Sequence, residues 1–90
     1  MKYKIAKAFT KQTAKIKDPK ILAKIRKTIE QIGESSTLQD IPALEPLQGF
    51  SNYYRIKFDY RYRMGIYYDG GDVEILKVGS REGFYKEFPF

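Results

Sequence analysis

The chain has 90 residues, of which 42% are hydrophobic and 16% aromatic, and it carries 17 lysines and arginines against 11 aspartates and glutamates. This length predicts a single domain over residues 1–90, and the high apolar content excludes a disordered basic tail. Cysteine and histidine are absent, which excludes disulfides, thiol catalysis, imidazole metal sites and histidine acid–base chemistry, so we expect no metal and no other cofactor.

The distribution of apolar residues predicts a cytoplasmic protein. No apolar run approaches the roughly 20 residues that a membrane-spanning helix requires. The first residues, Met1 to Ile5, lack the apolar segment of a signal peptide. We therefore expect no membrane partner.

The first third of the chain predicts a strand followed by two helices. Apolar residues alternate with lysines over residues 1–5, which is the period of a half-buried strand. Thr10 is a candidate cap for a short first helix. Asp18 and Pro19 predict the start of a second helix, because a carboxylate caps free amides and proline fits the first turn. Gly33 is its expected end. The apolar face of this second helix follows helical spacing: Ile21, Leu22, Ile25, Ile29 and Ile32.

The remaining two thirds predict a packed loop and then a sheet. Residues 34–51 place an apolar residue at about every third position, so we expect this loop to lie on the core, with a helical turn near Thr37–Asp40. Aromatic and β-branched residues then predict three strands: Tyr53–Phe58, Tyr62–Tyr68 and Val73–Val78. Two glycines within Asp69–Asp72 predict the hairpin turn between the last two.

These elements together predict an α+β fold. An N-terminal strand and a two-helix hairpin precede an antiparallel three-strand meander. The expected result is a roughly four-stranded sheet with the helices on one face, which leaves the other face to solvent or to a partner.

The positive charge is divided unevenly along the chain. Residues 1–30 hold ten basic and two acidic residues, nearly all of the basic ones lysines, a composition typical of solvated helix faces. Residues 31–54 hold three acidic residues and no basic one. Residues 55–90 include four of the five arginines, whose planar guanidinium groups match phosphate oxygens. We expect a polyanionic partner, either a nucleic acid or an acidic protein segment.

Alternation along the predicted strands collects cations on one face of the sheet. Arg55 and Lys57 are two residues apart, as are Arg61 and Arg63, so the members of each pair point to the same side. If the apolar residues between them face the helices, all four cations share the uncovered face. Two carboxylates are expected near them: Asp59 and Glu74. Four like charges so close repel one another, so we expect them to bind an anion.

Such a face has the groups for phosphodiester cleavage without a metal. A ribose 2′-OH attacks the neighbouring phosphate, and fixed cations stabilise the charge that develops on the non-bridging oxygens. Without histidine, the candidates for proton transfer are Lys57, Tyr85 or an arginine. Tyrosine would need neighbouring positive charge to act as a base near neutrality. A face that only binds RNA would use the same residues, so both readings stay open.

Four segments of the C-terminal half carry a family resemblance: Leu47–Phe50, Tyr54–Lys57, Tyr62–Ile66 and Arg81–Pro89. They resemble the pattern pLkGf…yRIr…dYRiGi, followed by a terminal R…Y…FP, of the RelE/ParE superfamily of toxins from type II toxin–antitoxin systems. The RelE branch is the most similar. The match covers about residues 44–90, and the strand–helix–helix order covers the rest of the chain.

The resemblance implies a ribosome-dependent endoribonuclease that cleaves mRNA in the ribosomal A site. It also implies an acidic, RelB-like antitoxin that wraps the toxin and holds it inactive. The implied catalytic residues are Arg55, Lys57, Arg63, Arg81 and Tyr85. In the implied roles the first three stabilise the phosphate or activate the 2′-OH, Arg81 stabilises the transition state, and Tyr85 stacks on a base or assists proton transfer. Further RNA contacts are predicted at Arg61, Lys77 and Lys86.

Two features of the chain depart from the family pattern. Ser80 stands where many relatives place a histidine before the arginine, which points to the histidine-free type of RelE toxin. The turn from Lys57 to Arg63 is one residue longer than usual, so Arg61 has no clear family counterpart. Two alternatives stay open: a ParE-like toxin that poisons DNA gyrase without enzymatic activity, and a catalytically decayed module that binds RNA without cutting it.

Overall fold

The computed structural model describes residues 1–89, which form five strands and three α-helices. In chain order these are β1 (Tyr3–Ile5), α1 (Lys7–Ala14), α2 (Pro19–Glu34), β2 (Leu44–Pro46), β3 (Tyr53–Ile56), β4 (Tyr62–Tyr67), β5 (Val73–Ser80) and α3 (Arg81–Glu87). None of these helices is long and apolar enough to cross a membrane.

The strands form one mixed sheet in the order β1-β5-β4-β3-β2. β1 is parallel to β5, whereas the other neighbouring pairs are antiparallel. The predicted α+β class is confirmed, and the sheet has one strand more than the four expected. The additional strand is β2, in which Glu45 lies opposite Arg55 of β3. Only three residues long, β2 shows no recognisable alternation, and its pairing with β3 decides its conformation.

The two N-terminal helices begin for different reasons. α2 begins at Pro19 as predicted, because the Asp18 carboxylate accepts the N–H of Lys20 at 2.9 Å. It passes through the predicted end at Gly33 and ends one residue later. The predicted cap of α1 at Thr10 is wrong, since the helix already begins at Lys7. The N–H of Ala6 donates to the carbonyl of Ile75 in β5 at 2.9 Å, so a contact with the sheet sets this start.

The main core lies between α1, α2 and one face of the sheet. Its buried members are Phe9, Ile21, Ile25, Ile32, Ile41, Ile56, Met64, Ile66, Val73, Ile75 and Val78. The helical turn expected near Thr37–Asp40 is present as a 3₁₀ turn at Leu38–Asp40, directly before buried Ile41. β1 is a strand as predicted, but it is not half-buried: Tyr3 and Ile5 are 40% and 45% exposed, because β1 is an edge strand.

The two predicted helices, α1 and α2, lie on one face of the sheet, and the additional helix α3 partly covers the other face. Gly65 of β4 makes this possible, since a Cβ atom placed there would lie 2.5 Å from the ring of Phe88. A Cβ at Gly79 of β5 would be 3.8 Å from the backbone of Phe84. The missing side chain of Gly65 therefore leaves the room in which the Phe88 ring packs, whereas the approach at Gly79 is an ordinary contact that a methyl group would also allow.

Candidate functional site

The face of the sheet that carries α3 is the one on which the predicted cations lie. Arg55 of β3 and Lys77 of β5 both pair with Gly65 of β4, which contacts Phe88, so both belong to this face. Arg63 is two residues from Gly65 on the same strand. We use the name basic face for the six residues Arg55, Lys57, Arg63, Lys77, Arg81 and Tyr85.

Arg55 and Tyr85 are in direct contact across the basic face. The Arg55 guanidinium carbon lies 5.5 Å from the centroid of the Tyr85 ring, within the range of a cation–π contact. The Tyr85 ring packs edge-on against Phe84 at 5.2 Å between centroids, yet 42% of the residue stays exposed. The Arg55 Nε is buried without a hydrogen-bond partner. The pair thus presents a partly exposed aromatic ring beside a cation with unused hydrogen-bonding capacity.

Glu45 of β2 binds two of the predicted cations. Its Oε1 lies 2.9 Å from the Lys57 Nζ, and its Oε2 lies 3.5 Å from the Arg55 Nη2. The hydrogen bond from Lys57 and, to a smaller extent, the one from Arg55 lower the pKa of the Glu45 carboxyl below its ordinary value, although partial burial opposes this. Glu45 is therefore ionised at neutral pH, and it leaves one net positive charge on the three residues.

Glu45 was not predicted from the sequence, which indicated only Asp59 and Glu74 as carboxylates near the cations. The pairing of Glu45 with Arg55 across β2 and β3 places the two side chains together. The strand could not be recognised in the sequence, because Glu45 stands among two prolines and a leucine, without the alternation that is typical of a strand. Glu74 lies elsewhere: it pairs with Lys4 of β1, and its strand is two positions from β3 in the sheet.

Asp59 is also not a counterion of the basic face. Its Oδ1 lies 2.5 Å from the Nζ of Lys24 on α2, and its Oδ2 accepts the N–H of Arg61 at 2.9 Å. These two hydrogen bonds, that of Lys24 above all, lower the pKa of the Asp59 carboxyl. The carboxylate ties the β3–β4 turn to α2 and neutralises a lysine of that helix.

Arg63 lies beneath the surface of the basic face. Only 8% of the residue is exposed. Its Nη1 donates to the carbonyls of Asp59, Tyr60 and Tyr62 at 2.8, 3.3 and 3.0 Å, and its Nε has no partner. Among the described side chains, no carboxylate lies within 4.0 Å of its guanidinium. Arg63 therefore anchors the turn and adds an unneutralised positive charge below it.

A second aromatic–arginine contact lies at the β3–β4 turn. The Arg81 guanidinium carbon is 5.2 Å from the centroid of the Tyr60 ring, and the Arg81 N–H donates to the carbonyl of Arg61 at 2.7 Å. A pocket of about 290 Å³ opens here, lined by Tyr60, Arg61, Ser80, Arg81 and Glu82. Tyr60 was not among the residues predicted for the site. The signal in the sequence that could have indicated Tyr60 is an aromatic residue between the charged residues Asp59 and Arg61 of a turn.

The predicted residues thus fall into two groups. Arg55, Lys57 and Tyr85 are joined through Glu45 and the aromatic contact, whereas Arg61 and Arg81 meet at Tyr60. Lys77 is half-buried opposite Gly65, and Lys86 is exposed on α3. α3 connects the two groups, since it carries both Arg81 and Tyr85.

The fold and the basic face define a class of small α+β proteins in which a short C-terminal helix carries an arginine and a tyrosine on one face of a mixed sheet. No sequence-family model matches the chain, and no curated protein does. Solved structures do match it, over nearly its whole length.

One match is the RelB–RelE antitoxin–toxin complex from Methanococcus jannaschii, with 29% identity and a TM-score of 0.78 over 94% of this chain and 98% of the other. A second is the DinJ–YafQ complex from E. coli, with 13% identity and a TM-score of 0.70 over 92% and 96%. A third is the YoeB dimer from Staphylococcus aureus, with 18% identity and a TM-score of 0.66 over 86% and 92%. The chain therefore has the fold of the RelE toxins, which is consistent with the resemblance of its four sequence segments to the RelE superfamily.

Proposed function

We propose that this protein is the toxin of a type II toxin–antitoxin pair and acts as a ribosome-dependent endoribonuclease on mRNA in the A site. The RelE fold supports the toxin role. The observation that carries the nuclease is the pair of arginine–aromatic contacts joined by α3, Arg55 with Tyr85 and Arg81 with Tyr60. Guanidinium groups match phosphate oxygens, and exposed rings suit unpaired bases.

The proposed reaction is an internal transesterification. The ribose 2′-oxygen forms a bond to the adjacent phosphorus, the bond from phosphorus to the 5′-oxygen breaks, and the products are a 2′,3′-cyclic phosphate and a 5′-hydroxyl. Arg55 and Arg81 stabilise the negative charge on the non-bridging oxygens. The proton of the 2′-OH must leave and another must reach the 5′-oxygen, and Lys57 and Tyr85 are the candidates for these transfers.

Arg63 has a positioning role in this proposal. Its Nη1 is engaged by three carbonyls of the β3–β4 turn, so it holds that turn and contributes charge from below. Arg61, Lys77 and Lys86 bind the RNA strand on either side of the reacting phosphate.

The proposed partner is an acidic antitoxin. Residues 1–30 carry ten basic and two acidic residues. The same part of the chain lines an apolar groove of about 440 Å³ between β1, α1 and α2, in which Tyr3, Ile5 and Leu22 are exposed. An acidic segment with one apolar side would complement both the charge and the groove, and would fold as it binds.

The test uses purified protein and ribosomes programmed with an mRNA of defined A-site codon, with cleavage scored by primer extension. We expect wild-type protein to cut within the A-site codon. Arg81→Ala is expected to lose about 100-fold or more in rate, the usual effect of removing one preorganised group that stabilises transition-state charge.

Arg26→Ala is the matched control, because it removes an arginine from α2 on the opposite side of the sheet. It should cleave as wild type does, and both variants should unfold at the wild-type temperature. Intact mRNA with the wild-type protein would refute the nuclease. Inhibition of DNA gyrase supercoiling would then favour the ParE-like alternative, and tight, salt-sensitive RNA binding without products would favour the decayed module.

A further inference from the structure

The most exposed large aromatic side chain among the described residues is Tyr60, in the turn between β3 and β4. We infer that Tyr60, Arg61 and Arg81 form a second nucleotide site, which lies next to the one at Tyr85 and shares Arg81 with the proposed catalytic residues. It takes an unpaired nucleotide, with the base stacked on the Tyr60 ring and a phosphate against the arginines. This inference rests on the proposed action on RNA and adds a subsite to it.

The turn that carries Tyr60 is held by several hydrogen bonds to its backbone N–H and carbonyl groups. The Asp59 carboxylate accepts the N–H of Arg61 at 2.9 Å, and the Arg81 N–H donates to the Arg61 carbonyl at 2.7 Å. The buried Arg63 guanidinium donates to the carbonyls of Asp59 and Tyr60, which belong to the two peptide groups that flank the Tyr60 Cα. A rigid turn that presents an exposed ring loses little conformational entropy when a ligand covers that ring.

The fold gains little from the Tyr60 ring itself. The residue is 77% exposed, and the Arg81 guanidinium carbon lies 5.2 Å from the centroid of its ring. This contact holds the arginine beside the ring and leaves most of the ring surface open. An unpaired base can stack on such a surface whatever its identity, since every base has a π-face.

The charge around Tyr60 favours an anion next to the base. Arg61, Arg63 and Arg81 lie on or under the turn, and none of the described carboxylates is within 4.0 Å of their guanidinium groups. Glu82 lines the same pocket and offsets one of these charges. The remaining positive charge suits one phosphate of a nucleic acid strand.

The geometry also connects the new site to the proposed catalytic one. Arg81 and Tyr85 are four residues apart on α3, which is about 6 Å along a helix. The contact of Arg81 with Tyr60 and the contact of Tyr85 with Arg55 are therefore neighbours on one face. One RNA strand can place different nucleotides against the two rings.

The test compares Tyr60→Ala and Tyr60→Phe with wild type for binding to a labelled single-stranded RNA oligonucleotide by fluorescence anisotropy at low salt. We expect about tenfold weaker binding by Tyr60→Ala, within the range for loss of one stacked base. Tyr60→Phe should bind as wild type does, because it keeps the ring. Phe50→Ala is the control, since Phe50 is also an exposed aromatic residue but lies in the loop before β3, whereas Tyr60 lies in the turn after it.

Two ribosome complexes identify the source of the nucleotide. One holds mRNA through the A site, and the other holds mRNA that ends in the P site. Weaker binding of Tyr60→Ala to the first complex alone assigns the nucleotide to mRNA, and weaker binding to both assigns it to ribosomal RNA.

The site is refuted if Tyr60→Ala binds the oligonucleotide and both ribosome complexes as tightly as wild type. It is also refuted if Tyr60→Phe binds as weakly as Tyr60→Ala, because the hydroxyl and not the ring would then be the contact. Cleavage by wild-type protein is scored separately. If the mRNA stays intact but binding depends on Tyr60, the nuclease activity is refuted and the nucleotide site is supported. If the mRNA is cleaved but Tyr60→Ala has no effect on binding, the nucleotide site is refuted and the nuclease activity is supported.

Discussion

Replacing Gly65 by alanine tests how α3 is held on the sheet. A Cβ at this position would lie 2.5–2.7 Å from three carbon atoms of the Phe88 ring, where ordinary contacts are 3.4 Å or longer. The ring cannot move aside freely, because it packs against Tyr53 at 5.7 Å and Phe84 at 4.9 Å between centroids. Either the side chains packed around the Phe88 ring become strained, or the ring moves out of its packed position.

Both responses destabilise the fold by a similar amount. Overpacking a well-packed site by one methyl group costs about 1–3 kcal/mol. Exposing a phenylalanine that is 5% exposed in the native state costs about 1.5–3 kcal/mol. We therefore expect Gly65→Ala to lose about 1–3 kcal/mol of unfolding free energy in urea, with a fall in Tm of about 4–8 °C for each kcal/mol. At an unhindered position the same substitution stabilises, because it reduces the entropy of the unfolded chain.

The matched control is Gly71→Ala in the β4–β5 turn. There the nearest atom to an added Cβ is the Asp69 Oδ1 at 3.5 Å, an ordinary contact. We expect a change within about 0.5 kcal/mol. Phe88→Leu supplies the second test, because a smaller side chain should relieve the clash. Gly65→Ala should then cost at least about 1 kcal/mol less in the Phe88→Leu background than in wild type. An equal cost in the two backgrounds would show that Phe88 is not the obstacle.

Two further predictions concern the carboxylates of the structure. The pKa of Asp59 is lowered in the folded state by Lys24 and by the Arg61 amide, so its contribution to stability is present above the ordinary aspartate pKa of about 3.9 and is lost as the pH falls through the lower folded value. Asp59→Asn should flatten the loss of urea stability between about pH 5 and pH 2, and Lys24→Met should flatten it partly; an unchanged slope in Asp59→Asn would contradict the linkage. Glu45→Gln should bind single-stranded RNA about threefold more tightly at low salt, because Arg55 and Lys57 no longer share an internal carboxylate, and the gain should shrink as salt is added. Unaltered affinity in Glu45→Gln would mean that Glu45 does not compete with RNA for these cations.

Local signals in the sequence predicted most of the elements correctly. Asp18 and Pro19 predicted the start of α2 because capping depends on adjacent residues alone. The pair of glycines in Asp69–Asp72 predicted the β4–β5 turn for the same reason, and Gly70 does adopt a φ of 107°. The family segments identified the RelE fold, which the solved structures confirm.

The start of α1 and the strand β2 could not be predicted, because both depend on distant partners. Ala6 has no capping side chain, and a hydrogen bond to Ile75 of β5 accompanies the start of α1 at Lys7. β2 is three residues long and exists as a strand through its pairing with β3. Neither partner is near in sequence.

The composition of the basic face was largely determined by the sequence, since the alternation of strands places Arg55 and Arg63 on the side opposite the core. Tertiary structure decided what each cation does. Arg63 is buried under the β3–β4 turn, and the pairing of β2 with β3 places Glu45 next to Arg55. Asp59 forms its ion pair with Lys24 of α2 and not with a cation of the basic face. Residue type and period specify which side of a strand a charge lies on, but the neighbours of a charge come from other strands and helices, and those neighbours set its accessibility and its pKa.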